Sequence, residues 1–288
     1  MKKLLALALS LSMVACGSSE PAPAPEAEGT PSLTQEAGVL KVAISPDFAP
    51  MEFVDLSKSG QDQYVGFDVS LAKYIAEELG MTLEICPMSF DACQAAVSTG
   101  KVDMSISGFS WTESRAENYN LSDYYQAGEN ETEQVTITVK ANEGKYTTAA
   151  DYAGVKVGAQ TASLQEELCN SQLTGCEVVA VGDINTGILQ LVKGDFAAMA
   201  VADGNADAII TANPGIVKTG FEFEVDPKYT DNLILLQKGA DDLTAKVNEI
   251  LAGAKAAGYY DTWYNEALEL AGVDTAADVS YDDEGNVA

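Results

Sequence analysis

The chain contains no histidine and only one arginine, Arg115, among its 288 residues. Without an imidazole, Ser-His-Asp triads, Cys-His nucleophiles and the usual zinc sites are excluded. An enzyme of this composition would have to use carboxylates, lysine, tyrosine or thiols. The 44 acidic residues outnumber the 16 lysines and arginines, which gives a formal net charge of −28. Losing Lys2 and Lys3 with a leader would make it 14 − 44 = −30, which argues against nucleic acid and anionic lipid headgroups as partners.

A secretory signal peptide is predicted over residues 1–16. Lys2 and Lys3 form its basic start, and the apolar stretch that follows is too short to span a bilayer as a stable anchor. The run from Met13 to Gly17 resembles the lipobox of bacterial lipoproteins, with Met13 in place of the usual leucine, so we expect a lipid on Cys16. The alternative is a plain signal peptide with an incidental cysteine.

Residues 17–35 are expected to be a flexible tether, because their first part is rich in Pro, Ala, Ser and Glu and has no apolar periodicity. A tether behind a lipid would hold a globular body away from a membrane. The protein is therefore expected outside the cytoplasm, lipid-anchored at the outer face of the cytoplasmic membrane or in the periplasm.

Four further cysteines form two pairs, Cys86 with Cys93 and Cys169 with Cys176, and six residues separate the members of each pair. Because an exported chain can be oxidised, two short-loop disulfides are predicted, each worth ~2–3 kcal/mol. Four cysteines allow three pairings, which the sequence leaves open, and free thiols are the alternative.

Strand and helix patterns alternate in two series after the tether. The first runs from a strand at Val39–Ser45 through a helix over 66–80, with Asp68 as its N-cap, to a strand over 102–106. The second runs from a strand over 155–159 to a strand over 196–202. Each series reads βαβαβ, so the sequence predicts an α/β fold with two lobes, each built around a parallel sheet.

Opposite charges follow a strand in each lobe. Arg115 lies shortly after the last strand of the first series, and Asp203 directly follows the last strand of the second. Ligands of open α/β sheets bind at the carboxyl ends of strands, so both groups are expected to face one cleft. A zwitterion is the simplest molecule that satisfies both, since a guanidinium grips a carboxylate through two parallel hydrogen bonds. The alternatives are a surface salt bridge for Arg115 and a turn cap for Asp203.

Several motifs occur in one order along the chain: DFAPMEF (47–53), GFDVSLAKYIAEELG (66–80), SGFSWTESRAENYN (107–120), YAGVKVGAQTAS (152–163) and LVKGDFAAMAVAD (191–203). Over roughly residues 38–268 the chain resembles the family 3 extracellular solute-binding proteins, the amino-acid receptors of ABC importers. The resemblance implies the type II periplasmic binding fold, with a ligand cleft between the lobes. We expect lobe 1 to contain residues 36–134 plus 235–270, lobe 2 residues 135–234, and an acidic tail residues 271–288, with crossings near Gln134–Thr138 and Asp231–Leu236.

The resemblance also implies roles for residues in the cleft. Arg115 stands where the family's arginine clamps the α-carboxylate of the ligand, and Asp203 matches the aspartate that takes the α-ammonium. Gly108 and Ser110 fall on positions that offer a carbonyl to the amino group, and an N–H with a hydroxyl to the carboxylate. Phe48 falls on the aromatic position that stacks on the ligand.

Other positions follow in the same way. Phe90 matches a second aromatic position, with the core as the alternative place for both rings. Gln160 and Ser163 belong to a turn whose N–H groups suit an anion, although Ala162 replaces its glycine. Ser45 lies where cation-binding members often have an aspartate, so a polar or neutral L-amino acid is favoured. Trp111 replaces an aliphatic residue and either narrows the pocket or sits in the core.

The function implied is that of a monomeric receptor, without cofactor or metal, that closes around an amino acid and delivers it to the membrane permease of an ABC transporter. A calcium loop starting at DGNAD (203–207) is rejected, because Ala208 stands at the place of its obligatory glycine and Pro214 at that of its bidentate glutamate. One alternative is an exported enzyme of the same fold, similar to cyclohexadienyl dehydratase, acting on a small carboxylated substrate; Glu52 is then the nearest candidate acid or base. A sensor ectodomain is another, and it would need a membrane partner.

Overall fold

Two five-stranded sheets form the centres of two α/β lobes in the computed structural model, which describes residues 33–125, 133–229 and 231–272. The predictions for the signal peptide, for Cys16, for residues 17–32 and for residues 273–288 lie outside these ranges. The strands are β1 (Val39–Ile44), β2 (Asp47–Phe48), β3 (Glu52–Val54), β4 (Tyr64–Val65), β5 (Thr82–Pro87), β6 (Met104–Ser110), β7 (Tyr119–Leu121), β8 (Gln134–Val139), β9 (Lys156–Gln160), β10 (Glu177–Val181), β11 (Ala198–Ala202), β12 (Ile216–Glu222) and β13 (Asn232–Gln237). The α-helices are α1 (Phe67–Glu78), α2 (Phe90–Ser98), α3 (Glu113–Asn118), α4 (Leu164–Gln172), α5 (Ile184–Lys193), α6 (Asp203–Ala212), α7 (Asp241–Ala256) and α8 (Tyr259–Ala271).

The two sheets have the same topology. The first has the order β5-β1-β6-β13-β7, in which β1 pairs in parallel with β5 and β6, and β13 runs antiparallel between β6 and β7. The second has the order β10-β9-β11-β8-β12, with β9 parallel to β10 and β11, and β8 antiparallel between β11 and β12. The predicted α/β class and the βαβαβ series in each lobe are confirmed.

The chain passes between the lobes before β8 and before β13. Gln134 already pairs with Ala202 in the second sheet, and Asn232 pairs with Ser110 in the first. Both predicted crossing ranges therefore fall on strands of a sheet. The sheets place Gln134 in the second lobe and residues 232–234 in the first, one and three residues away from the expected boundaries.

Helix α1 shows how sequence pattern and burial agree, and where they differ. Its apolar positions Phe67, Leu71 and Ile75 are buried on one face against the sheet. The predicted N-cap is wrong, because Gly66 caps the helix with φ 117°, a backbone conformation that favours glycine. Asp68 lies instead inside the helix and is fully buried. Its side chain is thus available for contacts with other segments of lobe 1.

All four described cysteines are free thiols in the structure, so the two predicted disulfides are not formed in it. Cys93 and Cys169 are buried, whereas Cys86 and Cys176 are half-buried. Each half-buried cysteine packs on the cluster that holds its buried neighbour in sequence. Burial raises the pKa of the Cys93 thiol to about 12, so this group is protonated at neutral pH.

Helices occur in all three described ranges of the chain. None of their helices combines the length and the apolar character that crossing a bilayer requires.

Candidate functional site

One pocket is lined by residues from both lobes, around the carboxyl ends of β6, β9 and β11. Seven of the nine predicted ligand-binding residues lie on its wall: Phe48, Phe90, Gly108, Ser110, Arg115, Gln160 and Ser163. This placement follows from the topology, because in both sheets the central parallel strands end at the edge that faces the other lobe.

Arg115 is buried at the pocket, with 4% of its surface exposed. Its Nη1 donates to the carbonyl oxygen of Ser110 at 2.7 Å, and its Nη2 donates to that of Ala162 in lobe 2 at 3.0 Å. Its guanidinium carbon lies 5.5 Å from the ring centre of Phe90 and 5.1 Å from that of Phe109. Within the part of the chain that the structure describes, no carboxylate forms an ion pair with Arg115. Burial lowers its pKa to about 10, so the group stays charged at neutral pH.

Gly108 and Phe48 are in close contact at the pocket wall. Gly108 has φ +56°, and a Cβ added there would stand 2.8 Å from Cε1 of Phe48. The position therefore requires glycine for both its backbone conformation and its contact. Phe48 also packs against the hydrophobic cores of both lobes. The ring of Phe90 stacks on Phe109 with centres 4.7 Å apart.

The turn between β9 and α4 contributes the lobe 2 residues of the pocket. Ser163 is the N-cap of α4, and its hydroxyl accepts from Glu166 N at 3.2 Å. Ala162, which replaces the expected glycine, adopts φ 61°. This left-handed conformation costs an alanine roughly 1–2 kcal/mol. It directs the Ala162 carbonyl to Arg115, so the turn connects the two lobes.

Two of the nine predicted residues lie beside the pocket rather than on its wall. Asp203 follows the lining residues of β11, but its carboxylate forms an ion pair with Lys218 at 2.8 Å. Trp111 stacks on Tyr229 with ring centres 6.4 Å apart, and Lys228 Nζ stands 5.1 Å from its ring centre. Trp111 is half-buried and packs against the hydrophobic cluster that contains Phe90 and Phe109, so of its two expected places it takes the edge of the core rather than the pocket wall.

Several lining residues were not assigned to the ligand site from the sequence. Two of them are carboxylic acids: Asp47, which was missed, and Glu52, which was named only as the candidate acid or base of the alternative enzyme. The others are Ser107, Leu164, Gln165, Ile184, Ala200, Val201 and Ala202. Asp47 stands within the DFAPMEF motif, directly before Phe48, and this position was the signal that could have identified it. Burial and the neighbouring charge of Asp183 raise the pKa of Asp47 to about 6, against three hydrogen bonds that lower it.

Glu52 forms a buried acid pair with Asp68 beneath the pocket. Ser107 Oγ donates to Glu52 at 2.5 Å, and Gly108 N and Tyr125 Oη donate to Asp68 at 2.8 Å and 3.0 Å. Burial and the charge of Asp68 raise the pKa of Glu52 well above its usual range, and burial raises that of Asp68 to about 6. Glu52 Oε2 and Asp68 Oδ1 are both buried without another partner. The hydrogen bonds of the pair connect it to Ser107 and Gly108 at the pocket floor.

Hydrogen bonds across the cleft hold the lobes in a closed arrangement. Asp47 Oδ2 accepts from Gln160 Nε2 at 3.0 Å and from the backbone N of Ile184 at 2.6 Å. Asn205 Nδ2 donates to the carbonyl oxygen of Ala49 at 2.9 Å. With the bond from Arg115 to Ala162, these contacts join three segments of lobe 2 to lobe 1.

The described residues contain no group of three or more His, Cys, Asp or Glu side chains able to hold a metal ion. The acids of the pocket are bonded to protein donors, as given above, and are not arranged as a ligand set.

The family model of the bacterial extracellular solute-binding proteins, family 3, matches residues 40–269. The chain belongs to this family. A solved amino acid ABC transporter substrate-binding protein of Streptococcus pneumoniae, bound to L-arginine, is 32% identical with a TM-score of 0.74, over 81% of this chain and 96% of that chain. A probable histidine-binding protein of Campylobacter jejuni is 28% identical, over 77% of this chain and 82% of the relative.

A further solved structure is that of an ancestral amino-acid-binding protein described as a precursor of cyclohexadienyl dehydratase. It is 28% identical with a TM-score of 0.67, over 80% of this chain and 95% of that chain. The family and the fold that the motifs implied are therefore confirmed.

Proposed function

We propose that this protein is an extracytoplasmic receptor that binds one free L-amino acid between its lobes and presents it to the permease of an ABC transporter. The observation that carries the proposal is the buried guanidinium of Arg115, which has no carboxylate partner among the described residues and lines a pocket closed by both lobes. A buried cation of this kind is stabilised by a carboxylate that enters with the ligand.

Closure supplies the mechanism. The family membership and the cross-cleft hydrogen bonds support a hinge motion in which the ligand selects the closed state. Opening would return Arg115 and Asp47 to water, and closing removes both from it. The ligand's carboxylate offsets the desolvation of Arg115, so the closed form is populated mainly when the pocket is filled. The closed lobes then form the surface that a permease recognises.

Assignments within the site belong to this proposal. Arg115 takes the α-carboxylate, assisted by Ser110 and the turn at Ser163, while Phe48 packs against the ligand. Asp203 binds the α-ammonium, which replaces Lys218 as the partner of its carboxylate. Lipid attachment at Cys16, a tether and a monomeric state complete the proposed receptor.

The ligand's side chain is less narrowly defined. Ser45 favoured a polar or neutral amino acid, and the relatives above include proteins named for or bound to arginine and histidine. In the structure Ser45 Oγ donates to Asp47 at 2.8 Å. A carboxylate thus stands at the pocket two residues beyond the expected position, which adds cationic side chains to the candidates.

The test is thermal unfolding of the protein against the twenty L-amino acids, several D-enantiomers, and amidated or N-acetylated forms of each hit. A ligand that binds only the folded protein adds RT ln(1 + [L]/Kd), about 2.7 kcal/mol at a hundredfold excess over Kd, which raises Tm by several degrees. A shift with L-amino acids that is lost on amidation supports the receptor. No shift with any of them contradicts it.

One observation favours a second function, an exported enzyme acting on a small carboxylated substrate. Glu52 lines the pocket with a pKa far above its usual range, which is a property of general acids. Its Oε1, however, accepts a hydrogen bond from Ser107, which connects the acid pair to the pocket floor. Incubation with cyclohexadienyl carboxylates, followed by mass spectrometry, decides between the two: turnover that is lost in Glu52→Gln favours the enzyme.

A further inference from the structure

Asp47 is a carboxylate at the ligand pocket that belongs to neither the predicted site nor the buried acid pair. It lies on β2, in the small sheet β2-β3-β4, where it pairs with Phe53. Three donors fix its orientation: Ser45 Oγ at 2.8 Å on Oδ1, and Gln160 Nε2 at 3.0 Å and Ile184 N at 2.6 Å on Oδ2. The carboxylate is therefore held in place from both lobes when the cleft is closed.

The charge of Asp47 is not balanced by a cation. No lysine or arginine among the described residues forms an ion pair with it. The nearby charged groups are acids, Asp183 at the N-cap of α5 and Glu52 on β3. Burying an anion without a cation is costly, even when neutral donors satisfy part of its capacity. Closing the lobes over Asp47 thus creates a position that a positive charge would stabilise.

The surroundings of Asp47 indicate the shape of that positive group. The next residue, Phe48, places its ring on the wall of the same pocket, against Gly108. A planar cation such as a guanidinium or imidazolium can lie on an aromatic face while donating to a neighbouring carboxylate. Oδ1 accepts a single bond, from Ser45, so this oxygen retains capacity for a further donor.

The other charges of the site are committed elsewhere. Arg115 is the cation assigned to the α-carboxylate, and Asp203, which is paired with Lys218 in this structure, is assigned to the α-ammonium. Glu52 accepts from Ser107, and burial together with the charge of Asp68 raises its pKa well above its usual range. Among the described lining residues, Asp47 is then the acid that remains for the side chain of the ligand.

Resting on the proposed function, we infer that Asp47 determines specificity by pairing with the planar cationic side chain of an amino acid such as arginine. Its carboxylate, two residues further along the chain, supplies the negative charge that a serine at position 45 does not. Its bonds to Gln160 and Ile184 make the same group part of the closed arrangement, so selection of the cation and closure of the lobes are linked.

Arginine and citrulline form the matched ligand pair for the test, because citrulline has nearly the shape of arginine without its charge. Isothermal titration calorimetry gives Kd for both ligands on the wild type and on Asp47→Asn, which preserves shape and removes the charge. We expect the wild type to prefer arginine over citrulline by more than 10-fold, since charged hydrogen bonds contribute more than neutral ones. In Asp47→Asn this preference should fall at least 10-fold, mainly through weaker arginine binding.

Two further variants make the result specific. Asp62→Asn alters an exposed carboxylate of the same lobe and should leave the preference unchanged. Asp203→Asn, at the position assigned to the α-ammonium, should weaken both ligands alike and preserve the ratio. Asp47→Ser repeats the test if the asparagine variant unfolds at a lower temperature than the wild type.

The possible outcomes separate this inference from the proposed function. If glutamine or citrulline binds the wild type as tightly as arginine, or if the ratio survives in Asp47→Asn, the receptor stands and the role of Asp47 is refuted. If no amino acid binds at all, the proposed function itself fails, and the inference fails with it.

Discussion

Replacing Arg115 by lysine should abolish the recognition of the ligand's carboxylate while retaining the positive charge. A guanidinium has five N–H donors, and three are engaged, with Ser110 O, Ala162 O and Gln94 Oε1. One N–H on each terminal nitrogen is left for the ligand. Lysine cannot reproduce this fork, because its ammonium is a single compact donor group on a flexible chain.

The expected loss follows from those two donors. Hydrogen bonds to a charged group contribute about 1.5–3 kcal/mol each, and the lysine ammonium recovers part of that. We therefore expect Arg115→Lys to weaken binding by about 3 kcal/mol, which is a factor of more than 100 in Kd. Arg115→Ala should weaken it by at least ~2–3 kcal/mol, with little loss of stability beyond the bonds to Ser110 and Ala162.

The assay is a cycle of two proteins and two ligands, measured by isothermal titration calorimetry. The wild type and Arg115→Lys are each titrated with the amino acid found by thermal screening and with its carboxamide. If Arg115 holds the carboxylate, amidation costs the wild type much more than the variant, and the difference is their coupling energy. Lys101→Ala, which removes an exposed cation of the same lobe, should bind both ligands as the wild type does. Equal amidation costs in the wild type and in Arg115→Lys would refute the role of Arg115.

Three further predictions concern stability and the thiols. The pKa of Asp47 and of Asp68 is raised to about 6; their protonated forms therefore favour folding, and this stability is lost as pH rises through 6. Tm should be a few degrees higher at pH 5 than at pH 7.5, and a lower Tm at pH 5 would contradict this. Gly108→Ala should lower the free energy of unfolding, measured with denaturant, by at least ~1–2 kcal/mol, because of its positive φ and the contact with Phe48. In the control Gly182→Ala the added Cβ meets no atom within 4 Å, so the free energy of unfolding should fall less. Thiol titration should find Cys93 and Cys169 unreactive until the protein is unfolded. If the protein is unfolded without reductant and no free thiols are found, disulfides had formed.

The sequence predicted the fold because its signals are local and repeated. Apolar spacing over Leu71 and Ile75 identified α1, and Ser163 was correctly placed at the start of α4. Element ends were less well predicted: Asp68 resembled an N-cap, yet Gly66 takes that position. A buried partner across the lobe, Gly108, decided the conformation of Asp68, and no local pattern contains that contact.

The site divides in the same way. Position after a strand sufficed to predict Arg115 at the cleft, because parallel strands end at a common edge. The family resemblance added Gly108, Ser110 and Gln160, which line the same pocket. The positions of the carboxylates around the pocket depended instead on contacts between residues that are distant in the sequence. Lys218, on β12, forms an ion pair with Asp203, which is not among the lining residues of the pocket.

The sequence by itself therefore determined the family, the two α/β lobes and the cation of the site. Only the tertiary structure decided which acids share the pocket with that cation. Asp47 meets Gln160 and Ile184 across 113 and 137 residues of chain, and burial together with the charge of Asp68 raises the pKa of Glu52 well above its usual range. Such partners are set by how the lobes close and by what water they exclude, and charge and burial at a site depend on both.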